Sequence, residues 1–425
     1  MREMKNSGIE WIGDIPSNWQ VAKLKHSIKW KSEKGNPEGT VLSLYRDYGV
    51  IPKDSRDDNH NVTSLDTSTY KVVDVGDFVI NKMKAWQGSM AVSEYCGIIS
   101  PAYHVCEIIN PNIYKKYFHL LLRNPIYIPE YTRLSTGMRI GQWDLGFDDF
   151  KSIPFLIPPY DEQKRIADFL DSKCAEIDAV IERTKATIEE YKKLKQSIIT
   201  EAVTKGVRGD RPMKDSGIEW IGKILSEYSV IRLKHLLREP LMYGANESGV
   251  PFKDNLPRYI RITDITMDGK LKENGKLSLT EGMAHGYILS NNDVLFARSG
   301  ASVGKAFIYK ESYGRAAFAG YLIKAAIGDK MLADYLFYYT QSSLYEEWKK
   351  QIFVQATIQN IGADRYNVLP VVLGTVEEQR EIVNYLDQKC AEFDRLIADK
   401  TTLLTELENY KKSVIYEYVT GKKEV

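Results

Sequence analysis

Three short stretches of this chain carry residue types at spacings that could do chemistry, and each lacks an atom the chemistry needs. Ile157-Pro158-Pro159-Tyr160 has the proline-proline-aromatic form that places an amine for methylation, but such motifs begin with Asp, Asn or Ser to accept a hydrogen bond from the amine, and Ile157 cannot accept one. No strand-linked glycine motif for S-adenosylmethionine accompanies it, so the tetrapeptide reads as a turn. Gly300-x-x-x-Gly304-Lys305 has three intervening residues where a phosphate-binding loop has four, and Ala306 stands where a magnesium-binding hydroxyl belongs. Glu162-Gln163-Lys164 has the acidic-x-Lys spacing of some nucleases, without an upstream acidic partner. It reads as first-turn acid placed to favour a helix N-terminus. The six histidines show no metal-ligand spacing, and Cys96, Cys106, Cys174 and Cys390 form no CxxC pair, so no metal is expected and the thiols are expected to be reduced.

The elements that would position any site are duplicated. Residues 4–26 (MKNSGIEWIGDIPSNWQVAKLKH) and 213–235 (MKDSGIEWIGKILSEYSVIRLKH) share 15 of 23 positions at an offset of 209, and residues 162–204 match 378–420 at an offset of 216. Between these blocks lie segments that barely resemble one another, the pattern of a constant frame around different inserts. After each insert an apolar stripe recurs every three or four residues: Ile166, Leu170, Cys174, Ile177, Ile181, Ile188, Tyr191 and Ile198, then Ile382, Leu386, Cys390, Phe393, Ile397, Leu403, Leu407, Tyr410 and Val414. Neither run contains Gly or Pro, which predicts two helices of about 44 residues, roughly 66 Å each. One narrow stripe cannot bury itself, so the helices are expected to pack on each other, antiparallel if a pseudo-twofold axis relates the halves. Helices serving only as packing elements are the plainer alternative.

The inserts are β-prone runs broken by turns. Strands are expected at 40–45, 70–75, 77–81 and 103–108 with a helix near 113–122, and again at 259–263, 293–298, 305–309 and 322–327 with a helical pattern over 331–348. Asp77 and Asp293, Gly88 and Gly304, Pro154 and Pro370 keep the 216 offset. The fold class is therefore α+β: two α+β domains, residues 1–155 and 207–370, joined by two long antiparallel coiled-coil-like helical segments, residues 156–206 and 371–425. Trp11 and Trp220 read as buried anchors or docking contacts, His26 and His235 as partners of backbone groups, and Cys174 and Cys390 as buried apolar groups. Since residues 205–212 lead straight from the first helix into the second copy of the opening block, the chain end after Thr420 is expected beside the segment around Met4.

Four hundred and twenty-five residues suggest about three domains. No window approaches the roughly 18 apolar residues of a membrane span, and the start MREMKNSGIE lacks an apolar signal core; a soluble, cytoplasmic protein with no membrane partner is expected. Net charge is +1, yet residues 1–155 hold 19 Lys/Arg against 18 Asp/Glu and residues 207–370 hold 22 against 18, while the two helical segments are acidic. The small positive excess sits in the divergent inserts, which would need clustered charge or a basic partner to grip nucleic acid.

The opening SGIEWIG (Ser7 to Gly13) with Trp19, the exit Phe150-x-x-Ile153-Pro154 running into Asp161-Glu162-Gln163-Lys164, and their second copies together resemble the DNA-specificity subunit of type I restriction-modification enzymes over essentially the whole chain. The resemblance implies that each divergent segment is a target recognition domain reading one half of an asymmetric, bipartite sequence in double-stranded DNA. It implies that the repeated helices set the spacing and dock two modification (methyltransferase) subunits, with optional restriction subunits that cleave DNA using ATP. S-adenosylmethionine, ATP and magnesium would then bind partners, and this chain would be non-catalytic and carry no cofactor. Departures are local: Pro16 and Trp19 become Leu225 and Tyr228, and Pro158-Pro159-Tyr160 becomes Gly374-Thr375-Val376.

For reading bases, amide and guanidinium groups are apt because they can bond adenine and guanine edges bidentately in the major groove. Arg298, Ser299 and Ser302 of the Arg298–Lys305 loop are the leading candidates in the second insert, followed by Gln359 and Asn360; Gln87, Arg139 and Gln142 are those of the first. Lys82, Lys84 and Lys305 are better suited to phosphates, which position without specifying. Half-sites on one face of a duplex lie about 34 to 36 Å apart, so the helices could act as a ruler. The rival readings are a methyltransferase or nuclease carrying its own specificity domains, and a coiled-coil scaffold or RNA-binding protein.

Overall fold

In each half of the chain the repeated blocks meet first. The computed structural model describes residues 2–34, 38–46, 48–56, 63, 66–137, 143–266, 269–354 and 360–425. Within the SGIEWIG block, Met4–Asn6 pairs antiparallel with Asp14–Pro16, and Met213–Asp215 pairs with Lys223–Leu225 in the second copy. Gln20–Lys23 then pairs antiparallel with Pro154–Ile157, and Ser229–Arg232 with Pro370–Leu373. Entry and exit of each insert are thereby hydrogen-bonded side by side.

Two compact units result, one of Met1–Lys185 with Thr402–Val425, the other of Ala186–Thr401. The first contains a four-stranded antiparallel sheet in the order Ile28–Lys31, Tyr103–Ile108, Phe78–Asn81, Met90–Val92. Strand alternation sends Phe78 and Ile80 into the main core with Phe118 and Phe150, while Val79 faces a second cluster with Leu42, Leu44 and Val105. The second unit repeats the order with Met242–Tyr243, Leu322–Ala325, Val294–Ala297 and Ala306–Ile308. There Val294 and Phe296 face the main core, and Leu295 and Ala297 face the other cluster. This unit adds a sheet that the first lacks among the described residues, in the order Val250–Pro251, Leu277–Ser278, Arg258–Ile260, Ala316–Phe318, whose last pair is parallel.

The long helices run from Tyr160 to Lys205 and from Val376 to Val419. In the first unit the Phe169 ring lies tilted against Tyr418 at 4.5 Å and Lys411 pairs with Asp178 at 2.6 Å, so one helix ascends as the other descends. In the second, Lys195 pairs with Asp394 at 2.6 Å and Arg208 meets Glu381, again antiparallel. Each core takes apolar side chains from both helices: Ile166, Leu170, Val414 and Val419 in the first unit, Ile199, Val203, Ile382 and Leu386 in the second.

The Glu-Gln pair at each helix start is a joint. Glu162 accepts the Trp19 indole N–H at 3.1 Å and an Arg2 N–H at 2.9 Å, and the Gln163 amide accepts from the Tyr114 N–H while donating to the Asn112 and Pro158 carbonyls, all at 2.8 Å. Gln379 repeats this on Leu332, Lys330 and Gly374, and Glu378 accepts from Arg211 at 2.6 Å. Expected only as first-turn acid, the pair instead ties helix, opening block and insert together.

The expected strands of the first insert form, with Lys71–Val73 shorter than 70–75, and the helix spans Lys115–Leu122. The second insert departs in two places. Arg258–Ile260 ends before a 3₁₀ turn, Ile262–Asp264, and the pattern over 331–348 divides into Ala333–Tyr339 and Ser343–Val354. Ser342 causes the division, its hydroxyl donating back to the Tyr339 carbonyl at 2.7 Å and accepting the Tyr345 N–H at 3.4 Å. Trp11 packs edge-on against Tyr127 at 4.9 Å, as an anchor. His26 and His235 are exposed at the ends of 3₁₀ turns, and of the two cysteines expected to be buried Cys390 is, while Cys174 is only half-buried.

The chain end does reach the opening block: the Lys422 ammonium donates to the carbonyls of Ile12 and Asp14, and the Tyr117 hydroxyl donates to the Val419 carbonyl at 3.0 Å. Gly421 makes this possible, with φ 71° and an α-hydrogen where a Cβ would lie 2.5 Å from Pro16. Gly206, φ 68°, does the same after the first helix. Gly421→Ala is expected to cost about 1–2 kcal/mol from the left-handed backbone alone, with the clash added. A urea midpoint equal to that of the unaltered protein would contradict it.

Candidate nucleic-acid interface

Both candidate loops leave the equivalent strand of the repeated four-stranded sheet, one in each unit. Lys82, Lys84 and Gln87 follow Phe78–Asn81, and Arg298, Ser299, Ser302 and Lys305 lie between Val294–Ala297 and Ala306–Ile308. Lys82 and Arg298 stand at the 216 offset, and their backbones are held alike: the Lys82 carbonyl accepts the Leu145 N–H at 3.0 Å, and the Arg298 carbonyl accepts the Ile361 N–H, 216 residues on, at 2.9 Å. Gly88 and Gly304 close the loops at φ 77° and 81°, a conformation that costs glycine nothing.

Each strand begins at the Asp that kept register. Asp77 accepts the Asp74 N–H at 2.8 Å and pairs with Lys31 at 2.9 Å; Asp293, fully buried, accepts the Ser290 N–H at 2.8 Å and pairs with Arg238 at 2.8 Å. Burial raises the Asp293 carboxyl above the usual range, opposed by the Ser290 N–H and by the charges of Lys324 and Arg238.

In the second unit the structure brings Arg298, Ser299 and Asn360 together, Ser299 and Asn360 forming an antiparallel bridge. The Arg298 guanidinium lies 4.9 Å from the centre of the Tyr243 ring, and Asn360 is exposed. Ser302 and Lys305 are half-buried farther round the hairpin, where burial and then Lys349 hold the Lys305 ammonium below its ordinary value. In the first unit Lys84 is exposed and Lys82 and Gln87 half-buried. Lys71 stands near: burial and then Lys82 lower its ammonium, which donates to the Tyr103 carbonyl at 2.6 Å and lies 5.5 Å from the Trp30 ring. Trp30 packs edge-on to His104 and Phe147 at 5.2 and 4.8 Å. Arg139, Gln142 and Gln359 lie outside the described residues.

Sequence reasoning missed Trp30, Lys71 and Tyr243. Trp30 and Tyr243 lie on edge strands far in sequence from the cations they meet, and an aromatic in a short strand reads as core. Their partial exposure, 43% for Trp30 and 41% for Tyr243, is the distinguishing sign and belongs to the tertiary structure.

Residues 16–190 and 253–409 match the family model of the type I restriction modification DNA specificity domain. The chain belongs to that family. It is similar to the EcoBI type I restriction enzyme specificity subunit of Escherichia coli, 25% identical over 63% of this chain and 57% of that subunit. It is likewise similar to the MjaVIII specificity subunit of Methanocaldococcus jannaschii, 24% identical over 96% of this chain and 93% of the other. Thus the chain spans somewhat over half the length of the EcoBI subunit and nearly all of the MjaVIII one. A solved chain from work on complex assembly and conformational transition of the type I R-M system shares the fold, with a TM-score of 0.71 at 15% identity over 96% of this chain and 99% of that chain. Among the described residues, no helix is long and apolar enough to cross a membrane, and no group of His, Cys, Asp or Glu could hold a metal ion.

Asp293→Ala removes the acceptor of the Ser290 N–H and the partner of Arg238 at the root of the second loop. A loss of about 1–3 kcal/mol in unfolding free energy is expected, read from the urea midpoint; an unchanged midpoint would contradict the role given to the turn.

Proposed function

We propose that this chain reads a bipartite, asymmetric sequence in double-stranded DNA, one half through the 77–92 region and its neighbours and the other through the 293–309 region. The observation that carries this reading is the common placement of Lys82 and Arg298, with different side chains, on one duplicated strand and loop. One scaffold with two different sets of donors suits two unlike half-sites. Arg298, Ser299, Asn360 and Gln87 are proposed at base edges, and Lys82, Lys84 and Lys305 at phosphates.

Methylation and cleavage are proposed to belong to partner subunits. The residues that looked catalytic have other occupations: Pro158 and Pro159 offer carbonyls at a helix start, and Glu162 and Gln163 form the joint. Two modification subunits would dock on the long helices, where Val180, Leu194, Leu396 and Tyr410 expose apolar surface. S-adenosylmethionine, ATP and magnesium would be bound by those partners.

The test is co-expression with the neighbouring modification subunit and sequencing of methylated sites in host DNA. A two-part, asymmetric motif is expected; a continuous palindrome would overturn the reading. Arg298→Ala should relax one base pair of one half-site, by about 1–3 kcal/mol of discrimination, leaving the other half-site unchanged. Uniform weakening across all sequences would instead make Arg298 a phosphate contact. Adding or removing whole helical turns within 161–204 should change the number of unspecified base pairs in the gap, and an unaltered gap would remove the ruler.

A further inference from the structure

Arg298 is fixed at its backbone from both sides, since its N–H donates to the Tyr321 carbonyl at 3.1 Å and its carbonyl accepts the Ile361 N–H at 2.9 Å. Its Nε is buried with no hydrogen-bond partner among the described residues, so the inner part of the side chain is enclosed while the residue as a whole remains partly exposed. What the guanidinium meets is the ring of Tyr243, 4.9 Å away. A planar guanidinium stacks on an aromatic face where an ammonium, being compact and more strongly hydrated, does so less well.

Tyr243 is itself held. It lies on the edge strand opposite Ile323, and its hydroxyl accepts the Ala363 N–H at 2.9 Å, tying the ring to the segment that carries Asn360. Yet its side chain contributes little to a core, at 41% exposed. An exposed ring anchored at its far end and carrying a cation on its face is a platform. In the first unit a ring on the corresponding edge strand, Ile28–Lys31, also carries a cation, Lys71 over Trp30.

We propose that Tyr243 is a positioning residue that sets the plane of Arg298, and that Arg298 so held selects a guanine in the half-site read by the second domain. The choice of base follows from the guanidinium fork, whose two parallel N–H donors match O6 and N7 of guanine. The proposal rests on reading Arg298 as a base contact.

The experiment is methylome sequencing of the co-expressed complex carrying Arg298→Ala, Arg298→Lys, Tyr243→Leu or Tyr243→Phe. Arg298→Ala is expected to relax one guanine position roughly tenfold or more. Arg298→Lys, which keeps the charge without the fork, should relax the same position. Tyr243→Leu should relax it too, by a smaller factor, with the other half-site unaltered, and Tyr243→Phe, which keeps the ring but loses the bond from the Ala363 N–H, should relax it less than Tyr243→Leu. If Arg298→Ala alters no position, the reading of Arg298 fails; if it relaxes a position other than guanine, the assigned base fails. If Arg298→Ala relaxes a guanine while Tyr243→Leu keeps selectivity, the role of Tyr243 is overturned. Should Tyr243→Leu abolish methylation everywhere, the two milder variants decide: Tyr243→Phe as unselective as Arg298→Ala, or selectivity kept with Arg298→Lys, overturns the platform.

Discussion

Everything in each half depends on bringing the two ends of a long insert together. The antiparallel pairs of Gln20–Lys23 with Pro154–Ile157 and of Ser229–Arg232 with Pro370–Leu373 do this with backbone hydrogen bonds, which no side-chain change inside the insert removes. The Glu-Gln joint then fixes the long helix to the closed frame, and the buried Trp19 indole N–H has its acceptor only while Glu162 is there. A donor stranded without an acceptor in such a place costs about 1–3 kcal/mol, which explains why an acid and an amide stay buried at a helix start.

Closure of this kind frees the insert to change. The four-stranded sheet recurs in both units with the same order, and the Asp turn, the left-handed glycine and the backbone bond to Leu145 or Ile361 recur with it. What differs lies on and around the loop: Lys82 beside Lys71 and Trp30 in one unit, Arg298 over Tyr243 beside Ser299 and Asn360 in the other. Rigid placement of a variable side chain is the physical requirement for reading a base edge, because a bidentate pair tolerates little misorientation.

The duplication, the two long helices, the neighbouring chain ends and most strands of the first insert were legible in the residues themselves. Those features rest on period and identity: a stripe every three or four residues, an absence of Gly and Pro, and blocks repeated at fixed offsets. The division of the 331–348 pattern was not, because a single serine hydroxyl at 342 competes for the backbone where apolar periodicity continues unbroken. Glu162 and Gln163 were read as helix-start residues, correct for position and incomplete for purpose, since Trp19 and Tyr114 come to them only in the folded chain.

The sequence alone determined that one frame is used twice with different contents, because repetition and divergence are properties of residue order. It also offered side chains able to donate bidentately, since guanidinium and amide chemistry is local to the residue. Only the tertiary structure decided which donors are held, and by what: Arg298 meets Tyr243, 55 residues away, and Lys71 meets Trp30, 41 away. Side-chain orientation at a surface depends on such non-local contacts, and no periodicity in the chain encodes them.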